Sequence, residues 1–368
     1  MKTLLTALLT FAAGWCCSAV ADTVVKHESF FVGGTYTGPV SAQVMQGQMF
    51  VEALTPQKVI HPYPLVFIHG GAQTAMNWMT TPDGREGWAQ WFTERGWKVY
   101  LVDQPARGRS AWQPGINGDL KSATVQTIER YFTAPESFNA WPQAKLHTQW
   151  PGGPHKGRAG QAAFDQFYAS QVPSLERNES ESLMQAAGAA LLDRIGPAVL
   201  VVHSQSGLLG WLIADVRPAS VKGIVSIEPS GPPFMNTPTK NAAADRPFGL
   251  TSIPLTFDPP VTTEAPIAYE QQAKPDAPDL VACWSEKGMP HRLKNLIGIP
   301  MLVATSEASY HATYDHCTSR FLTRAGVTNE FVRLADHGIH GNGHMMMLEA
   351  NNLDIANFLE KWIVEHVK

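Results

Sequence analysis

Serine, acid and histidine side chains that could together carry out acyl transfer to a hydroxyl occur in this chain. A serine hydroxyl becomes a nucleophile when a base takes its proton and a third group orients that base. The serine candidates are Ser204 and Ser206, in His203-Ser204-Gln205-Ser206-Gly207. Glu228 ends the apolar run 221–227, Glu307 follows the run 299–304, and Asp315 lies further on. His337, His340 and His344 cluster near the C-terminus, and His344 follows a flexible Gly341-Asn342-Gly343.

The elements around the serines choose between them. Residues 198–202 are apolar and mostly β-branched, the pattern of a buried parallel strand. Residues 208–216 suit a helix that Arg217-Pro218 ends. A serine in a sharp strand-to-helix turn takes a strained backbone, so the residues two positions away must be small. Ser204 has Ser206 and then Gly207 on its helix side, whereas Ser206 would have the bulky Leu208. Ser204 is therefore the expected nucleophile. Val202 stands on its strand side, where glycine is usual.

The remaining elements follow in order. Short strands are expected at 29–32 and 49–54, with Gly33-Gly34 and Gly38-Pro39 as turns. Residues 65–68 form a buried strand leading into His69-Gly70-Gly71. A backbone N–H facing a developing oxyanion needs no side chain in its way, so the expected donors are Gly71 and Gln205. A helix at 85–95 carries Trp88, Trp91 and Phe92 toward the core, and Gly96 closes it. The strand 97–102 ends at Asp103, whose loop to Ser110 reads as structural. A helix at 182–195 delivers the chain to the serine strand. Strands at 221–227, 299–304 and 330–334 and a helix at 353–367 complete the pattern, an α/β fold with a mostly parallel central sheet. Two long segments, about 112–179 and 230–293, are expected as cap insertions, the first rich in Trp, Pro and His.

The chain has 368 residues, net charge −4 and 44% hydrophobic residues, enough for one sizeable domain at 22–368. No basic stripe marks a nucleic-acid partner. Residues 1–21 read as a signal peptide, with Lys2, an apolar stretch and Ala19-Val20-Ala21 before Asp22. That stretch is too short to span a bilayer, so a secreted or periplasmic protein with no membrane anchor after cleavage is expected. Only Cys283 and Cys317 remain in the mature chain, and in an oxidising compartment they are expected to pair. No metal-binding run such as His-Glu-x-x-His occurs, so neither a metal nor an organic cofactor is expected. A homodimer is compatible with the sequence, which does not fix the oligomeric state.

Several longer motifs carry a resemblance. Thr80-Thr-Pro-Asp-Gly-Arg85, Arg107-Gly-Arg-Ser110, His203-Ser-Gln-Ser-Gly207, Ile227-Glu-Pro229 and Gly341-Asn-Gly-His-Met-Met-Met347 resemble the secreted bacterial (Alcaligenes) esterase 713-like family of the α/β-hydrolase superfamily. The resemblance implies an α/β-hydrolase fold and a serine esterase acting on small-molecule esters through Ser204, Glu228 and His344. That family's type member carries two adjacent cysteines after its His-Gly, and this chain has Gly71-Ala72 there.

Overall fold

The structure is a computed structural model describing residues 25–236 and 243–368. The expected signal peptide lies outside these residues. Eight strands form one sheet: β1 (Val25–Thr37), β2 (Val44–Pro56), β3 (Leu65–Ile68), β4 (Val99–Asp103), β5 (Ala198–His203), β6 (Val221–Ile227), β7 (Met301–Thr305) and β8 (Glu330–Arg333). Their order is β1-β2-β4-β3-β5-β6-β7-β8. The β1–β2 and β2–β4 pairings are antiparallel and all others parallel.

The register aligns the ends of the central strands. Ile68 pairs with Val202, His203 with Ile227, and Ile227 with Ala304. Gly70, Ser204, Glu228 and Ser306 therefore leave the sheet side by side. They do so along its carboxyl edge, where open α/β sheets bind ligands.

Five helices cover the sheet: α1 (Trp88–Glu94), α2 (Arg177–Ile195), α3 (Gln205–Val216), α4 (Asp315–Arg324) and α5 (Asn352–His366). Side-chain alternation on β5 explains its unbroken apolar run. Leu200 and Val202 join the core beside α2 and α3, while Val199 and Val201 join the core beside α1 and α5. Trp88 and Trp91 are core residues, as their spacing predicts. Met345, Met346 and Met347 are buried in that same core.

Three elements depart from the expectations. The first two strands run 13 residues each, and Gly33-Gly34 is no turn but part of the β1 ladder. Both glycines have positive φ, and a Cβ on Gly33 would stand 3.2 Å from Ala187 Cα. A close approach of α2, rather than chain reversal, requires glycine there. The reversal comes later, at Gly38.

Helix α3 starts at Gln205, immediately after the serine, instead of at 208. The stretch 234–257 of the segment 230–293 also behaves unlike a lid over its described residues. Its Phe234, Phe248, Leu250, Leu255 and Phe257 enter the core beside α2 and α3. Glu181 of α2 accepts hydrogen bonds from the Ser252 and Ile253 N–H groups, and Asp215 of α3 accepts from Thr256. The other insertion, 112–179, does reach the sheet's carboxyl edge, where Phe132 lies 4.9 Å from the His344 ring.

Cys283 and Cys317 form the expected disulfide, with Cα atoms 5.3 Å apart. Among the described residues, no helix is long and apolar enough to cross a membrane.

Candidate active site

Ser204 occupies the junction of β5 and α3 with φ 55° and ψ −118°. A non-glycine residue there is strained, and the surroundings hold it in place. Its N–H donates to Ile227 O at 3.0 Å, and its carbonyl accepts from Gly207 and Ser230, each at 2.9 Å. A Cβ on Gly207 would lie 2.3 Å from Pro229 Cβ, so only glycine permits this packing. The bulk of Val202 is accommodated from the opposite side. Gly210 on α3 faces it, and a Cβ there would meet Val202 Cγ1 at 3.1 Å. The small residue expected on the strand has moved to the helix.

Ser206 has a different role. Its hydroxyl is fully buried, lies 2.6 Å from Ile68 O and accepts the His203 N–H at 2.7 Å. With its hydrogen and a lone pair both engaged by backbone, it fastens the turn after β5 to the end of β3.

Glu228 directly follows β6, also at positive φ (46°). Its Oε2 lies 2.5 Å from His344 Nδ1, and both side chains are fully buried. Three donors complete its shell: the Ser306 N–H at 2.9 Å, the Ser306 hydroxyl at 2.5 Å and the Ser309 hydroxyl at 2.7 Å. Burial pushes the Glu228 carboxyl up, and these donors oppose that shift by favouring the carboxylate. Burial, with His311 alongside, holds the His344 imidazole well below its ordinary range. A neutral imidazole with Nδ1–H directed to the carboxylate keeps Nε2 free to act as a base.

The rival acids have other partners. Glu307 accepts from the Gly341 N–H at 2.9 Å and contacts the exposed His340 at 3.1 Å. Asp315 pairs with His311 Nδ1 at 2.9 Å. His337 is exposed and packs on Phe358.

Gly71 and Gln205 lie next to one another, since a Cβ on Gly71 would stand 3.9 Å from Gln205 Cβ. Arg107 braces both sides of this pair. Its fully buried guanidinium donates to Gly70 O at 2.9 Å and to Gln205 Oε1 at 2.7 Å. Ala72 has φ 60°, and its carbonyl accepts from the Val172 N–H at 2.9 Å. The loop that lacks vicinal cysteines is thus tied through the 112–179 segment. Asp103 accepts from Ala75 N and from Arg109, the structural role expected of it.

Several neighbours were not legible as site residues. Ser306, Ser309 and Tyr310 come from the run after β7 that the sequence singled out only for Glu307. The Tyr310 hydroxyl lies 3.5 Å from His344 Nε2 and has the Ser204 side chain beside it. His203 Nε2–H donates to the His344 carbonyl at 2.9 Å.

Among the described residues, two trios are close enough to share an ion: Glu228, His311 and His344, and Cys283, His316 and Cys317. In the first, His311 uses both nitrogens, on Asp315 and on the Tyr314 hydroxyl. In the second, the two sulfurs are joined to each other.

This geometry agrees with what the chain resembles. The alpha/beta hydrolase family matches over residues 65–357. A probable secreted lipase from Fungal sp. (strain ATCC 74256) is 46% identical over 347 residues, covering 91% of this chain and 88% of that one. A solved structure described as a novel bacterial esterase superposes with a TM-score of 0.64 at 23% identity, covering 98% of this chain and 100% of that one. With the sheet order, the serine turn and a family match across most of its length, the chain belongs to the alpha/beta hydrolase family.

Proposed function

We propose that this protein is a secreted serine carboxylesterase working through Ser204, His344 and Glu228. The observation that carries this reading is the fully buried His344–Glu228 contact of 2.5 Å beside a serine held at φ 55°. Ser204 Oγ attacks the ester carbonyl carbon as His344 Nε2 takes its proton. The Gly71 and Gln205 N–H groups hold the oxyanion of the tetrahedral intermediate. Such a donor is typically worth about 10²–10³ in rate. The C–O bond then breaks, the proton passes from His344 to the departing alcohol, and an acyl-serine remains. Water attacks this ester by the same route and releases the acid. Glu228 holds the imidazole in the required tautomer and stabilises its cation. No step calls for a cofactor.

The relative named a secreted lipase supports both export and ester chemistry. Purified protein is expected to hydrolyse p-nitrophenyl acetate, and Ser204→Ala to abolish that activity. Full activity in Ser204→Ala refutes the assignment. An acyl-chain series from acetate to long-chain emulsions then separates an esterase from a lipase.

A further inference from the structure

Among the described residues outside the proposed triad, the Tyr310 phenol is a polar side-chain group that borders both Ser204 and His344. Its oxygen lies 3.5 Å from His344 Nε2, and the Ser204 side chain is near enough to bear on its ionisation. In a tetrahedral intermediate on Ser204, the alkoxy oxygen must come near His344 Nε2 to receive its proton. That oxygen therefore arrives at the place the phenol now borders.

The ring is held in this orientation from several sides. It meets His344 at a centroid distance of 4.9 Å and His311 at 4.4 Å. Edge contacts to Tyr131 at 5.4 Å and Trp141 at 5.9 Å bring in the 112–179 segment. Trp141 is itself fixed, its Nε1–H donating to Ala308 O at 2.9 Å.

We infer that Tyr310 is a further catalytic residue, whose O–H donates a hydrogen bond to the departing alkoxy oxygen as the acyl–oxygen bond breaks. The inference rests on the proposed triad. The proton that the alcohol carries away comes from His344 Nε2, and it is the one taken from Ser204. Tyr310 keeps its own proton throughout. Burial and the nearby Glu228 charge both push its ionisation upward, so it is a donor and not a base. A donor at this position stabilises charge that develops on the leaving oxygen, so its value rises as the leaving group becomes more basic.

The test compares Tyr310→Phe with wild type on two acetyl esters, ethyl acetate and p-nitrophenyl acetate. Both give the same acetyl-enzyme, so kcat/KM differs only through acylation. Nitrophenoxide leaves readily without a donor, whereas ethoxide does not. Tyr310→Phe should therefore lose at least about tenfold more kcat/KM on ethyl acetate than on p-nitrophenyl acetate. Equal losses on the two esters, no loss, or a gain on both overturns the inference, and a gain identifies Tyr310 as an obstruction instead. An unchanged thermal midpoint guards against a folding defect, and Tyr310→His, which restores a donor, should recover part of the ethyl acetate rate. Ser204→Ala run in parallel separates the two readings. If it is inactive on both esters while Tyr310→Phe shows equal losses, the Tyr310 inference fails alone. If Ser204→Ala stays active, the proposed triad itself fails.

Discussion

His344 and His147 are both fully buried, both carboxylate-bound and opposite in character. His344 meets one carboxylate, Glu228, and burial holds its imidazole well down. His147, from the 112–179 segment, lies between two, with Nδ1 2.7 Å from Glu136 and Nε2 2.8 Å from Glu349. Burial alone would lower His147 as well, but Glu349 and Glu136 together raise it to about 9. With both ring nitrogens facing acceptors, it must carry both protons. The number of carboxylates within reach thus separates an imidazole held neutral from one held as a cation at neutral pH.

The two sites are also joined. Glu349 accepts from the Gly343 N–H, at 3.0 Å to each oxygen, and from Asn342 Nδ2 at 2.8 Å. Those residues immediately precede His344. The backbone hydrogen bond from Thr148 N to Gly341 O, at 2.9 Å, continues the same seam. His147 therefore acts as a clamp, holding the loop that presents His344 against the 112–179 segment.

This contrast can be broken or sharpened by experiment, and the largest effect is expected at the proposed base. His344→Ala should lower kcat on p-nitrophenyl acetate by roughly 10⁴–10⁶, with a folded circular dichroism spectrum retained. Glu228→Gln should cost about 10²–10⁴ in kcat by removing the charge that stabilises the imidazolium. If Glu307→Gln proves the more damaging of the two, the acid assignment is wrong.

His147→Gln should act on stability first. It leaves two buried carboxylates without their cation, a loss of roughly 3–5 kcal/mol readable from denaturant midpoints. The pH dependence supplies a sign. The folded His147 pKa is raised above the unfolded value of about 6.5, so its stabilisation is complete below that pH. It is lost as pH climbs through about 9. The stability gap between wild type and His147→Gln should therefore narrow from pH 6.5 to 9.5, and a constant gap would show that His147 is not the cation described.

His344 gives the reverse sign. A lowered imidazole stays neutral in mild acid, so the acidic limb of kcat/KM should fall below pH 6.5. A limb above that value contradicts a neutral, buried base. The smallest effect is expected for Glu307→Gln, a loss of a few-fold at most, since its carboxylate holds only Gly341 and an exposed His340.

Much of this was legible in the sequence because it depends on neighbours along the chain. The β5 strand, the serine turn, Gly207 and the terminal helix follow from apolar runs, residue size and helix stops. Glu228, as the end of an apolar strand, was legible as a position. Its preference over Glu307 came from resemblance and not from spacing. The glycines at 33 and 34 misled because φ > 0 serves a packed strand as well as a turn, and only the approach of α2 distinguishes the two. The Val202 departure was visible, but its compensation at Gly210 was not, since eight residues and a chain reversal separate them.

By itself, then, the sequence determined the elements, their order and the types of side chain at the carboxyl edge of the sheet. Local propensity and hydrophobic period act over a few residues and can be read in a line. Tertiary structure alone decided which acid meets which histidine, because Glu228 and His344 are 116 residues apart and are joined only by strand register. It also decided protonation. Whether an imidazole is a base or a cation depends on burial and on the carboxylates brought to it, Glu228 in one case and Glu136 with Glu349 in the other.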